Sequence, residues 1–517
     1  MNTYDYVVVG AGSAGCVLAA RLSEDPGTRV ALIEAGGPDT AQEIHVPAAF
    51  SQLFKSDLDW DLDSEPEPGI GGRRAYLPRG KVFGGCSSIN AMIYIRGNRA
   101  DYDGWAANGA DGWSYSDVLP YFRRSEDNLR GADAFHGTGG PLTVSDSRSN
   151  HPLASAFVEA AISAGHRRND DFNGESQLGV GPYQLTQRDG MRCSTSVAFL
   201  HPAMQRPNLT VLSGARADRV VIENGRATGV EVTRNSGTEV ITAAREVILS
   251  AGAYESPKLL MLSGVGPADT LAAFGIRVRA DLPVGEGLQD HYMTLLNFRT
   301  DTESLMTAAS EANAELLQSQ GRGPLTSNIG EAGGFFHSRD GLAAPDVQFH
   351  MAPVLFHQEG LGPITEHGFA FGPCVLAPTS RGRVTLRAAR PDAAPRITHN
   401  YLTTAEDRAA IIAGIRIALD IAAQAPAAKV ITGPYDVPDS DSDADLLAWA
   451  QRSGMTLYHP TSTCAIGSVV DPELRVYGVQ GLRVVDASVF PSVPRANTNA
   501  PTVMAAEKAA DLIKGAV

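Results

Sequence analysis

The stretch that most constrains this chain is residues 4–36. An apolar run over residues 5–9 stops at Gly10, and Gly10, Gly12 and Gly15 follow in the spacing G-x-G-x-x-G. Residues 16–22 continue as a small-residue helix, and a second apolar run over residues 29–33 ends on Glu34. Strand, glycine turn, helix, strand and then an acid roughly twenty residues past the last glycine is the pattern of a dinucleotide-binding unit. Gly10 allows the tight turn, Gly12 lets a pyrophosphate approach the backbone, and Gly15 lets helix and strand pack closely. The helix N-terminus then offers free N–H groups to the phosphates. Glu34 can accept hydrogen bonds from ribose hydroxyls and repels a 2′-phosphate. An ordinary turn explains the glycines but not the acid at that distance.

With 517 residues there is room for more than one core, so two large domains are expected. Lysine and arginine number 43 against 58 acids, a net charge of −15. That balance argues against a nucleic-acid partner, which needs a basic face, and it provides no polybasic anchor for an anionic membrane. No uncharged apolar run reaches the ~18 residues of a membrane span. Five scattered cysteines fit reduced thiols in the cytoplasm better than a disulfide framework. Peripheral contact with an inner membrane is compatible with all of this.

Further along, residues 35–77 are irregular and rich in Pro, Gly and Asp, as expected of a loop that serves a site or wraps a ligand. Residues 151–165 read as an amphipathic helix with Leu153, Phe157, Ala160, Ala161 and Ala164 on one face. From residue 209 the period changes to two. Val220 and Ile222 lead to an Asn224-Gly225 turn, a second turn falls at Ser236-Gly237, and residues 247–249 form a buried run. Ser256 and Pro257 are expected to open a helix as N-cap and first residue. Residues near 293–300, 331–337, 346–356, 368–377 and 381–387 are expected as strands of one antiparallel sheet. A long helix is expected over residues 407–424, opened by Thr403 or Thr404, with Ile411, Ile415, Leu419 and Ala422 buried. The alternating acids of residues 439–443 resemble a calcium loop. Ala444 and Ala450 stand where its Gly and Glu are needed, so a solvated helix start is expected and no metal. A strand near 482–485 ends at Asp486, and Asn497 to Thr502 leads into a helix. A second acid past a strand end suggests a dinucleotide longer than NAD, gripped by both ends of the chain.

Several motifs together resemble the glucose–methanol–choline (GMC) oxidoreductase family. Gly80-Lys81-Val82-Phe83-Gly84-Gly85-Cys86-Ser87-Ser88-Ile89-Asn90 is similar to its first signature, and residues 252–266, from Gly252-Ala253-Tyr254-Glu255-Ser256-Pro257 onward, are similar to its second. Residues 285–291, 380–386 and 497–502 follow in family order. The resemblance implies an α/β fold: a Rossmann-like FAD-binding domain with an inserted antiparallel-sheet (α+β) substrate-binding domain. The FAD-binding parts are then 1–150, 189–292 and 455–517, and the substrate-binding parts 151–188 and 293–454. It implies cofactor contacts at Gly10, Gly12, Ser13, Ala14, Gly15, Glu34 and Ala35, and at Arg79, Val82, Gly84, Gly85, Asn90 and Ala91. Further contacts are implied at Val220, Ala251, Gly252, Asp486, Ala487 and Thr502. The catalytic pair maps onto His459 and Asn499. Ile89 stands where some members carry a histidine linked to FAD, so non-covalent FAD is implied. Ser462 replaces a usual glycine, which is expected to add a side chain near the flavin, and Cys86 is read as packing against the cofactor.

Alcohol oxidation removes a hydroxyl proton and a carbon-bound hydride. Histidine, with an ordinary pKa near ~6.5, suits the first task, so His459 is the expected base. Asn499 is expected to orient the substrate hydroxyl through its amide. His291 receives a structural role instead, in a motif packed against the FAD domain. The flavin passes its electrons to a quinone-type acceptor or to dioxygen, with a dehydrogenase preferred to an oxidase. A hydroxynitrile lyase with non-redox FAD is the alternative of another class. A flavin photodecarboxylase is set aside because Ser88 stands where that enzyme has a cysteine. The default substrate is a primary alcohol, and choline is disfavoured because no aromatic cage and acid can be assigned to it. A homodimer is compatible with the sequence.

Overall fold

The computed structural model describes residues 3–235 and 237–515, so Ser236 of the second turn lies outside the described residues. β1 (Thr3–Val9), α1 (Ser13–Leu22) and β2 (Val30–Ile33) form the first unit, and β3 (Leu209–Leu212) lies beyond β2. β4 (Arg216–Glu223), β5 (Arg226–Arg234) and β6 (Gly237–Leu249) make the meander. The seven-stranded sheet runs β3-β2-β1-β6-β5-β4, with the strand Leu482–Val484 also paired to β6. β6 belongs to three ladders. Its first half is antiparallel to β5, while its second half is parallel to β1 and to Leu482–Val484. Val7, Val8, Leu32 and residues 247–249 are fully buried, as central parallel strands must be.

The strand ends are level. Gly10 N donates to Ile33 O at 2.7 Å, Ser250 N to Val9 O at 2.8 Å, and Val485 N to Leu249 O at 2.8 Å. Gly10, Glu34, Ala251 and Asp486 therefore follow their strands along one carboxyl edge, where open α/β sheets bind ligands. Gly15 closes the first unit: a Cβ there would lie 1.8 Å from Gly10 O.

α2 (Gly252–Leu262) departs from expectation. It starts four residues before Ser256, at Gly252 with φ +87°, and carries Pro257 inside it. Pro257 has no N–H for Ala253 O, and Thr463 Oγ1 donates to that carbonyl instead at 2.8 Å. Ser256 is not the N-cap; its hydroxyl reaches back to accept from Ala251 N at 3.1 Å and donates to Asp486 Oδ2 at 2.6 Å.

The second sheet is antiparallel and eight-stranded, ordered Gly433–Asp436, Leu296–Arg299, Gly368–Val375, Val347–Ala352, Ala332–Phe336, Gly179–Pro182, with Tyr292–Met293 and Met455–Thr456 attached. The helices Pro152–Ser163 and Ala405–Ala423 cover one face, burying Phe157 against Phe371 and Ile411 and Ile415 against the sheet. Two expectations are corrected here. Gly382–Thr385 pairs with Glu286–Leu288 and Arg396–Thr398 in a separate sheet, and the expected 293–300 strand is broken at Thr294-Leu295. The long helix is capped by Thr404. Its buried stripe passes through Gly414, Ala418 and Ile421, leaving Leu419 and Ala422 half-buried. Among the described residues no helix is long and apolar enough to cross a membrane.

Candidate active site

One continuous cavity runs from the glycine fingerprint to the face of the second sheet left uncovered by helices. Its near end is built for an anion. α1 begins at Ser13 behind Gly12, and α3 (Asn499–Lys514) begins behind Thr498, both without a side-chain cap, so their first N–H groups remain available. Ser13, Ala14, Asn499 and Thr502, from these first turns, line the cavity. A Cβ on Gly12 would meet nothing nearer than Ser250 O at 3.9 Å, and one on Gly252 nothing within 4 Å, so ligand atoms can approach both backbones.

Of the other expected contacts, Gly10, Glu34, Ala35, Arg79, Gly85, Asn90, Ala91, Ala251, Asp486 and Ala487 line the same cavity, as does Cys86. Gly15, Val82, Gly84 and Val220 do not. Gly15 holds α1 against the turn, Val82 packs with Ile44 and Leu53, and Gly84 N donates to Ala11 O at 2.7 Å. Val220 N is taken by Ser263 Oγ, and the cavity wall at that point is Ala215, Arg216 and Ala217. Glu34 also braces the loop. Its two oxygens accept from Ala11 N and Gly36 N, each at 2.8 Å, and burial pushes its pKa up. Asp486 accepts from Gly252 N at 2.9 Å, tying the last strand to α2.

At the far end stands His459, buried and fixed from several sides. Asp290 Oδ1 accepts from the backbone N of His459 at 2.7 Å and of His291 at 2.9 Å. The other oxygen of Asp290 accepts from Tyr401 at 2.5 Å and Thr456 at 2.6 Å. Tyr458 (φ +68°) and Ser462 (φ +74°) hold left-handed backbone on either side of the histidine, a strain that the packed surroundings sustain. Ser462 does not line the cavity, and its hydroxyl lies 3.0 Å from Thr461 Oγ1.

The ring contacts assign a tautomer. His291 Nε2 faces Leu376 O at 3.1 Å, and a carbonyl only accepts, so that nitrogen carries the hydrogen. Burial holds the His291 pKa down, to about 4, so the ring is neutral and its Nδ1 bears a lone pair. His459 Nδ1 lies 2.9 Å from that lone pair and must therefore be the donor. The lone pair of His459 is left on Nε2, with Asn497 Nδ2 at 3.4 Å. Asn497 is oriented in turn by Gln348 Nε2, which donates to its oxygen at 3.0 Å. Burial, then His291, His350 and Arg79, push the His459 pKa well below its ordinary value, not near ~6.5 as expected from the sequence.

Two sequence expectations change. His291 is in hydrogen-bond contact with His459, not merely packed against a domain. The asparagine brought to His459 is Asn497, whereas the Asn499 carbonyl accepts from Ser13 Oγ at 2.8 Å. Sequence reasoning also missed His350. It projects from the strand β7 (Val347–Ala352) into the cavity, and neither ring nitrogen has a partner among the described residues. The alternation Gln348, His350, Ala352 on that strand was the available signal.

The chain matches the family model described as GMC oxidoreductase over residues 4–293, and its C-terminal counterpart over residues 378–506. It is 48% identical to an uncharacterised GMC-type oxidoreductase of Mycobacterium tuberculosis, over 99% of each chain. It is 41% identical to an oxygen-dependent choline dehydrogenase of Photobacterium profundum, over 99% of this chain and 93% of the relative. Among solved structures it is similar to pyridoxine 4-oxidase from Mesorbium loti, with 33% identity, a TM-score of 0.90 and 98% of each chain covered.

Proposed function

This chain belongs to the GMC oxidoreductase family, which binds FAD, and on that premise we propose that it oxidises a primary alcohol with His459 as the base. The observation that carries the proposal is the neutral His459 ring with its Nε2 lone pair beside Asn497 in the cavity. The α1 and α3 N-termini, Gly12, Glu34 and Asp486 are the residues that would hold the dinucleotide. FAD bound there supplies the hydride acceptor. His459 Nε2 takes the hydroxyl proton while Asn497 Nδ2 donates to the substrate oxygen. Asn497 thus takes the orienting role that the resemblance places on Asn499. Because its pKa is depressed, His459 is unprotonated and ready at neutral pH, though a weaker proton acceptor than free imidazole. We assign the electrons to a quinone-type acceptor, with dioxygen as the alternative.

The test is anaerobic mixing of the yellow protein with primary alcohols, following loss of the flavin band, then timing its recovery with air or a quinone. His459→Ala is expected to slow bleaching by roughly 10²–10⁴-fold with FAD still bound. Bleaching at the unsubstituted rate rules out the base.

A further inference from the structure

We infer that the alcohol this site takes is uncharged and carries its hydroxyl on an apolar, ring-bearing body: an arylmethanol rather than choline. The inference rests on the alcohol oxidation proposed above and deepens it. The polar tips at the far end are few. His459 Nε2 and Asn497 Nδ2 meet there, and His350, buried on the neighbouring strand, has both ring nitrogens unpartnered among the described residues. Buried polar atoms are normally paired, so an unpaired imidazole aimed into a cavity is completed by ligand. A base, an amide donor and one more imidazole match the needs of a single hydroxyl group.

The rest of that wall is apolar. Phe54, Met293, Leu295, Ile329, Phe356 and Tyr458 line it, contributed by two hydrophobic clusters that flank the catalytic histidine. Phe54 meets Phe50 edge-on at 5.7 Å and Tyr458 at 5.9 Å. Rings set at such angles present both faces and edges, to which a further ring packs well.

Charge decides against an ammonium. The carboxylates on the cavity wall, among the described residues, are Glu34, Glu255 and Asp486. Glu34 and Asp486 follow the strand ends of the first sheet, and all three are engaged: by Ala11 and Gly36 N–H, by Lys258, and by Gly252 N–H and Ser256, respectively. The charged side chain that reaches the cavity wall near His459 is cationic: Arg79 lines the cavity and donates to Tyr458 O at 2.8 Å. Asp290, behind His459, does not line it and has both oxygens taken by His459 N, His291 N, Tyr401 and Thr456. A quaternary ammonium placed here loses its water and meets a like charge without a counter-ion. Attraction to a ring face returns about 2 kcal/mol to a desolvated cation, less than the several kcal/mol that burying an unpaired ion costs. The site therefore parts company with the relative named for choline while keeping the same overall chain.

The experiment uses the FAD-loaded protein and two arms. In the first, benzyl alcohol, 1-hexanol and choline are mixed anaerobically at pH 8, and flavin reduction is followed at several concentrations of each. The expected second-order rate constant for benzyl alcohol exceeds that for choline by at least roughly 100-fold. Choline equal to or ahead of benzyl alcohol overturns the inference, and 1-hexanol ahead of benzyl alcohol overturns the ring-bearing body. The second arm needs no turnover. Benzyl methyl ether and tetramethylammonium are titrated separately, and shifts of the flavin absorbance band report binding. Binding of the ether without the ammonium supports the inference even if no alcohol bleaches the flavin, an outcome that would end the oxidation proposal alone. Binding of tetramethylammonium in preference to the ether, or of neither, overturns it.

Discussion

Replacing His291 with alanine removes the acceptor that holds the hydrogen of His459 on Nδ1. The buried N–H left behind costs about 1–3 kcal/mol. The ring relieves that cost by shifting its hydrogen to Nε2, the atom that must be empty to take a proton, so the competent tautomer becomes a minority. At ~1.4 kcal/mol per tenfold, flavin reduction by a primary alcohol should slow roughly 5- to 150-fold. A second signature separates this from simple loss of packing. His459 is held below its ordinary pKa chiefly by burial, with His291 the next cause. Activity is lost as pH falls through the His459 pKa, so removing His291 should move that acid limb upward, toward ~6.5. His291→Asn keeps an amide oxygen that can accept from Nδ1, and should recover most of the rate. The assay is single-turnover flavin bleaching between pH 5 and 9 for both variants. An alanine variant with the original rate and acid limb, or an asparagine variant no better than alanine, refutes the tautomer reasoning.

Other expectations concern the frame around the site. Asn497→Ala should slow flavin reduction by roughly tenfold or more, through loss of a charge-developing hydrogen bond worth about 1.5–3 kcal/mol. Asn499→Ala should chiefly weaken FAD retention, read as the ratio of flavin to protein absorbance; the reverse pattern contradicts the placement of the two amides. Gly15→Ala forces a Cβ to within 1.8 Å of Gly10 O, so the purified protein should contain little FAD and melt lower, and a full complement of flavin would be inconsistent with that clash. Thr463→Val leaves Ala253 O without the donor that Pro257 cannot supply, at a cost of about 1–3 kcal/mol, visible as a lowered urea midpoint with unchanged slope.

Much of the first unit was legible because its constraints are local. Gly10, Gly15 and Glu34 answer to backbone reach within a few residues, and the structure places them as their spacing demands. The helix behind Thr404 and the Asn224-Gly225 turn were readable for the same reason. Where the reading slipped, a distant contact had overridden a local preference. Ser256-Pro257 is a good helix start on its own, but Thr463, far along the chain, satisfies the carbonyl that the proline orphans and lets α2 begin earlier. Gly382–Thr385 looks like any other strand of the substrate sheet, yet its partners come from Glu286–Leu288 and Arg396–Thr398.

The division at the catalytic end has the same origin. Sequence alone determined the family, and with it FAD as the cofactor, because its motifs run in order along the chain; His459 as the base entered only as what that resemblance implies. The tertiary structure decided which amide reaches the histidine, which nitrogen of the ring is free, and which side chains wall the cavity beside it. Asn497 and Asn499 are chemically identical and two positions apart. One precedes α3 and meets a ring 38 residues away, and the other begins α3 and is held by Ser13. The tautomer of His459 depends on a bond to a residue 168 positions earlier, and its pKa on burial. Desolvation and side-chain direction come into being only when the two sheets close on one cavity.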